Sequence, residues 1–348
     1  MQQRTRALLA SGFIGVIFLL VQLGSLALVE PFQQAGYQAV EDPQDPTNSL
    51  VYVAAILVMT VFMLLVFRYD VELLIRALIV FASVYLSWYV FSVVVPPVAT
   101  YQGVNVLAVA AALALGIALY AYPEWYVIDA SGIVMGAGAA GLFGISFGLL
   151  PALILLTVLA VYDAISVYGT EHMLTLASGV MDLKVPVVLV VPLTLSYSFL
   201  SSDTPDPTDD GDGAAANGGE DLAETDEHDE SDEESAADDI EADPMDRDAL
   251  FIGLGDAVIP TVLVASAAFF SPESVPSLGV PGLALTLPAL MAMIGTLVGL
   301  AVLLRMVLKG RAHAGLPLLN GGAITGYLIG ALASGIPLLE AIGLATYL

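Results

Sequence analysis

Nine apolar stretches, at about 8–29, 50–67, 71–95, 104–121, 127–148, 149–168, 249–270, 282–308 and 315–334, limit what this chain can fold into. Each is near or above the ~18–20 residues that a helix needs to cross a bilayer. Lipid offers the backbone no hydrogen bonds, so a spanning stretch must satisfy its own N–H and C=O groups, as a helix does. With 58% of residues hydrophobic and 13% charged, the chain carries more apolar surface than a water-soluble globule needs. The expected fold is an all-α membrane protein with nine transmembrane helices. Arg4 and Arg6 precede the first stretch as they would in a secretory signal. Its 22 apolar residues are long for such a signal and no cleavage site follows, so it reads as a retained helix. There is no cysteine, which excludes disulfides and Cys-ligated zinc.

Charge gives an orientation. With the N-terminus cytoplasmic, the inside positions hold Arg4, Arg6, Arg68, Arg76, Lys184, Arg247, Arg305, Lys309 and Arg311, all nine basic residues of the chain. Positively charged residues stay on the cytoplasmic side of a membrane protein. The expectation is a multi-pass protein of the cell membrane, N-terminus in and C-terminus out. The formal net charge of −26 has a local origin, since 21 of the 35 acidic residues lie between Asp203 and Asp248. Residues 201–247 have almost nothing large and apolar to bury, so they read as a disordered acidic cytoplasmic loop between helices six and seven. Such a loop fits a salty cytoplasm, where excess charge is screened; a plain acidic linker explains it as well.

The chain then divides into residues 1–148 (helices one to five), 149–200, 201–247 and 248–348 (helices seven to nine). The second part holds helix six and the segment KVPVVLVVPLTLSYSFL (184–200). That segment carries Pro186 and Pro192, and a further span there would spoil the charge count. It is expected to be re-entrant or to lie at the interface.

Two motifs mislead. GAGAAG (136–141) matches the dinucleotide fingerprint, yet it lies within an apolar stretch that also holds Gly132, Gly144 and Gly148. The fingerprint works only between a strand and a helix, whereas small residues at four-residue spacing let helices approach. GISFG (144–148) matches a nucleophile elbow with no strand before it. His172, His228 and His313 are scattered outside the apolar stretches and no H-E-x-x-H is present, so neither a membrane metalloprotease nor a serine protease is indicated.

Fourteen carboxylates lie outside the acidic loop. Glu30, Glu41, Asp42, Asp45, Asp70, Glu72, Glu124, Asp129, Glu171, Asp182, Glu273 and Glu340 read as loop or helix-end residues. Only Asp163, in LAVYDAISVY, and Asp256, in FIGLGDAVIP, sit well inside apolar stretches. An intramembrane carboxyl costs several kcal/mol unless paired, protonated or at work. Helix six runs outward to inward and helix seven the reverse. At 1.5 Å per residue the two acids are then roughly 8 and 11 Å from the same membrane face, and they can meet. Gly253 and Gly255 permit close backbone approach, and Pro260 removes the i+4 partner of the Asp256 carbonyl. Irregular backbone at membrane depth is tolerated where it lines a watery cavity.

These residues resemble the presenilin and signal-peptide-peptidase family of GxGD intramembrane aspartyl proteases. Tyr162-Asp163 matches the family's Y-D, and Gly253-Leu254-Gly255-Asp256 its G-x-G-D, on helices six and seven of nine. The P-A-L motif before the last helix is matched by Ala314-Gly315-Leu316-Pro317, with alanine for its first proline; Pro317-Leu318-Leu319 is a competing register. Signal peptide peptidases are inverted relative to presenilins, and the charge count gives the presenilin orientation, so the chain most resembles archaeal presenilin homologues. The resemblance implies peptide-bond hydrolysis within transmembrane segments, of membrane proteins or remnant signal peptides, with no metal or organic cofactor. The implied partners are transmembrane peptides and the lipid bilayer but no nucleic acid; self-association into a homo-oligomer is left open.

On this reading the two carboxyls share one proton and activate a water. Tyr162, Gly253, Leu254, Gly255, Gly315, Leu316 and Pro317 shape the site or bind substrate, whose unwound backbone pairs near Gly253 or Leu316. The rival is a proton- or ion-coupled transporter that relays ions through the same acids. It would show matching broken helices in two symmetric halves, and no such repeat is visible.

Overall fold

The computed structural model describes residues 2–69, 72–169, 188–193, 197–198, 249–308, 314–345 and 347. Helices α1 (Gln2–Gln34), α2 (Thr47–Arg68) and α3 (Glu72–Val94) are followed by the short strands β1 (Thr100–Tyr101) and β2 (Val104–Asn105). Then come α4 (Val106–Ala121), α5 (Trp125–Ser146) and α6 (Leu149–Gly169). Strands β3 (Val188–Pro192) and β4 (Ala249–Gly253) precede α7 (Leu254–Phe269), α8 (Leu287–Val307), α9 (Gly315–Ala333) and the single turn α10 (Leu338–Ala341).

Seven of these helices are long and apolar enough to cross a membrane, and α4 and α7 are shorter apolar helices. Helices thus stand at all nine of the expected places among the described residues. Residues 201–247, read as a disordered loop, lie outside the described residues, as does the start of the 184–200 segment.

Two expectations need correction. Residues 249–253 are not the first turns of helix seven but strand β4, paired antiparallel with β3, so that Val188 faces Gly253 and Pro192 faces Ala249. The re-entrant or interfacial segment accordingly contains a strand, Val188–Pro192, whose β-branched valines favour pleated backbone. The eighth helix starts at Leu287 rather than 282, where Thr286 caps it by accepting the Ala289 N–H and Pro288 occupies the first turn.

The β3–β4 pair is buried on both faces with the period of two that a strand imposes. Leu189, Val191 and Ile252 pack into a cluster with α1, α8 and α9 residues such as Phe18, Leu303 and Leu319. Val190, Ala249 and Phe251 turn the other way, against Leu119, Trp125 and Ile128 of α4 and α5. Helix α5 is central and mostly buried, whereas α2 and α3 are mostly exposed. The exposed Leu57, Phe62, Leu65, Leu74 and Phe81 of α2 and α3 face outward, where hydrocarbon is the solvent.

The glycine-rich run of α5 makes this central position feasible. A methyl group at Gly136 would meet Leu254 and Val258 of α7 and Val21 of α1 at 3.3–3.4 Å, and one at Gly141 would meet Phe32 at 3.2 Å. With Gly138 set against Val90 of α3 as well, GAGAAG is a packing surface for α1, α3 and α7, and it seats the Leu254 that begins α7.

Candidate active site

The site forms where three helix ends converge. Asp163 is buried, 7% exposed, six residues before the end of α6. Asp256 is the third residue of α7 and half-buried. Asp163 lies close enough to Asp256 for their charges to interact. The partner sought for the Asp256 carboxyl is therefore present.

What holds the two acids is a pair of helix N-termini. The first N–H groups of any helix lack an internal partner and carry the positive end of its dipole. In α9 the capping residue is Ala314, which has no side chain to cap with. Asp163 supplies the cap from another helix, as its Oδ2 accepts the Leu316 N–H at 3.0 Å. Asp256 lies in the first turn of its own helix, whose capping residue Gly253 likewise offers no side chain. A methyl group built on Gly253 would lie 3.5 Å from Asp256 Oδ2, and so would one built on Gly315. Gly253 and Gly315 thus flank the Asp256 carboxyl and keep backbone, not side chain, beside it.

The other residues singled out in the sequence fall into three groups. Leu254 is buried against the glycine face of α5. Gly255 is exposed, and Tyr162 is 37% exposed on α6. Pro317 is the third residue of α9, within the first turn where proline forfeits no helical hydrogen bond. Of the two registers for the P-A-L-like motif, Gly315 and Leu316 are the residues that touch the acids; Leu318 and Leu319 continue the helix. Pro260 lies inside α7, where the Thr261 hydroxyl donates to the Ala257 carbonyl at 2.6 Å beside the carbonyl that proline leaves unpaired.

Two residues were missed. Asn320 is fully buried and donates through Nδ2 to the Leu156 carbonyl of α6 at 2.9 Å, two turns from Asp163. With the Ala314 N–H donating to the Tyr168 hydroxyl at 3.4 Å, α6 and α9 are pinned antiparallel above and below Leu316 and Asp163. An asparagine in an apolar stretch was a readable signal. Asp129, taken as a helix-end carboxylate, is instead buried at 4% exposure within α5 and accepts the Val190 N–H of β3 at 2.8 Å.

Fold and site together define a polytopic helical membrane protein with two carboxyls brought to the first turn of α9. The family model described as "Signal-peptide peptidase, presenilin aspartyl protease" matches residues 15–336. A solved structure of a presenilin family intramembrane aspartate protease in space group C222 is 31% identical, with a TM-score of 0.60 over 93% of this chain and 99% of that one. A second, in space group P2, is also 31% identical, with a TM-score of 0.57 over 92% and 96% of the two chains. No curated protein matches. The chain belongs to the signal-peptide peptidase and presenilin family of aspartyl proteases. It is accordingly an intramembrane aspartic endopeptidase, a hydrolase of transmembrane substrates in the bilayer, and nothing in these matches favours the transporter.

Proposed function

We propose that Asp163 and Asp256 are the catalytic dyad of this protease. The observation that carries the assignment is the convergence of both acids on the first turn of α9, with Asp163 bonded to Leu316 and Asp256 beside Gly315. Two adjoining carboxyls do not both ionise but share one proton. The ionised carboxyl takes a proton from a water between them, and that water attacks the scissile carbonyl carbon. The protonated carboxyl polarises the carbonyl oxygen and then gives its proton to the leaving amine. The pair titrates as a unit, so both roles belong to the dyad.

Gly253, Gly255, Gly315, Leu316 and Pro317 leave room for an unwound substrate, whose extended backbone pairs beside Gly253 or Leu316. Tyr162 and Leu254 shape the surroundings of the acids. The distribution of the basic residues supports a cytoplasmic side for the N-terminus and residues 201–247 and an outer side for the C-terminus. The dyad then acts near the cytoplasmic face.

The test is cleavage of a single-span reporter by purified protein. Asp163→Ala and Asp256→Ala should each abolish cleavage while the fold is kept. Wild-type cutting by either folded variant overturns the assignment.

A further inference from the structure

Helix α5 touches the segment that follows α6 through two buried acids that the dyad does not use. Asp129, 4% exposed, accepts the Val190 N–H through Oδ1 at 2.8 Å. Glu124, 6% exposed and at the capping position of α5, accepts the Ser198 hydroxyl through Oε1 at 2.6 Å. Losing such an acceptor leaves a buried N–H or hydroxyl donor unpaired, which is costlier than the bond itself is stabilising. Inside a bilayer protein there is little water to replace it.

The first bond also fixes the ladder. With the Val190 amide turned toward Asp129, Val190 and Phe251 form a pair that does not exchange hydrogen bonds, and the exchange falls to the pairs on either side. Pro192, two positions on, then points its missing N–H the same outward way, where no ladder bond is lost. Strand β4 ends at Gly253, opposite Val188, and Asp256 follows three residues later.

We infer that Asp129 and Glu124 are positioning residues for cleavage: they form a two-point clasp on α5 that sets the register of β3 and β4 and, through β4, the place of Asp256. The inference rests on the assignment of Asp163 and Asp256 as the dyad. A slip of one residue in the pair would exchange the faces of every side chain in it. It would also move the start of α7 against α9. The clasp therefore governs which substrate bond meets the dyad as well as how fast it is cut.

The test uses the full-length protein and a single-span reporter, with products identified by mass spectrometry. Asp129→Leu removes the acceptor while keeping the branched skeleton of the side chain. It should lower kcat/KM by about 10- to 100-fold, since misplacement on the order of 1 Å costs that much, and spread the cuts over neighbouring bonds. Asp129→Asn keeps an acceptor for Val190, and because Oδ2 has no hydrogen-bond partner among the described residues, the amide breaks no bond there. It should keep the wild-type cutting positions and most of the rate. Should Asp129→Leu fail to accumulate as folded protein, Ser198→Ala decides, with a smaller loss of about threefold, in keeping with one lost hydrogen bond, and the same spread of cuts. Unchanged rate and positions in folded Asp129→Leu, or in Ser198→Ala where it decides, overturn the clasp. So does an Asn variant as impaired as the Leu one. Cleavage surviving in a parallel Asp256→Ala control would instead refute the dyad, so the two failures are distinguishable.

Discussion

Asp163 and Asp256 were legible because a carboxyl inside an apolar stretch is expensive at membrane depth and stands out from its neighbours. Asp129 is as deeply buried as Asp163, yet it hid at the edge of its apolar stretch, and its partner Val190 is 61 residues away. No local pattern announces such a bond. Asn320 shows the intermediate case, since the residue type was readable but its acceptor on α6 was not. Its bond to Leu156 is buried and lies two turns from the dyad. Removing it by Asn320→Ala should lower stability by about 1–2 kcal/mol, the usual worth of a buried side-chain hydrogen bond plus a small cavity. It should also reduce the cleavage rate, because α9 delivers Leu316 to Asp163. Thermal unfolding in detergent alongside the reporter assay checks this; an unchanged Tm would show that the bond holds nothing.

At the scale of elements, α8 and α9 approach until backbone meets backbone. A methyl group at Gly326 would fall on the Met291 carbonyl oxygen, and one at Gly322 on that of Gly295. Gly326→Ala should therefore cost about 1–3 kcal/mol through overpacking. Gly321, one helical face away, has nothing within 4 Å of such a methyl. Gly321→Ala should be neutral or stabilising by up to about 1 kcal/mol, the helix preference of alanine over glycine. Equal Tm values for the two variants would contradict the close α8–α9 contact. The strand β4 marks the limit of reading elements from sequence. ALFIG is a short apolar run continuous with α7, and periodicity cannot separate a buried strand from a buried helix over five residues. Only its long-range partner β3, rich in β-branched valine, decides the matter.

For the whole molecule, the places and order of the nine apolar helices among the described residues followed from hydropathy, because lipid leaves the backbone few alternatives. How the helices pack did not follow, since apolar residues are interchangeable toward lipid and the glycine faces gain meaning only from what they meet. The orientation derived from the nine basic residues is tested by accessibility tags. A tag near Asn217 should be cytoplasmic and one after Leu348 extracytoplasmic, and both on one side would refute an odd number of crossings between the loop and the C-terminus. The most direct test of the central claim, a dyad sharing one proton, is the pH dependence of reporter cleavage. The doubly protonated pair has no base and the doubly ionised pair has no acid. Wild-type protein should give a bell-shaped profile, and Asp163→Asn and Asp256→Asn should be inactive at every pH. A wild-type profile with a single limb, or an asparagine variant that regains activity at any pH, would contradict the account.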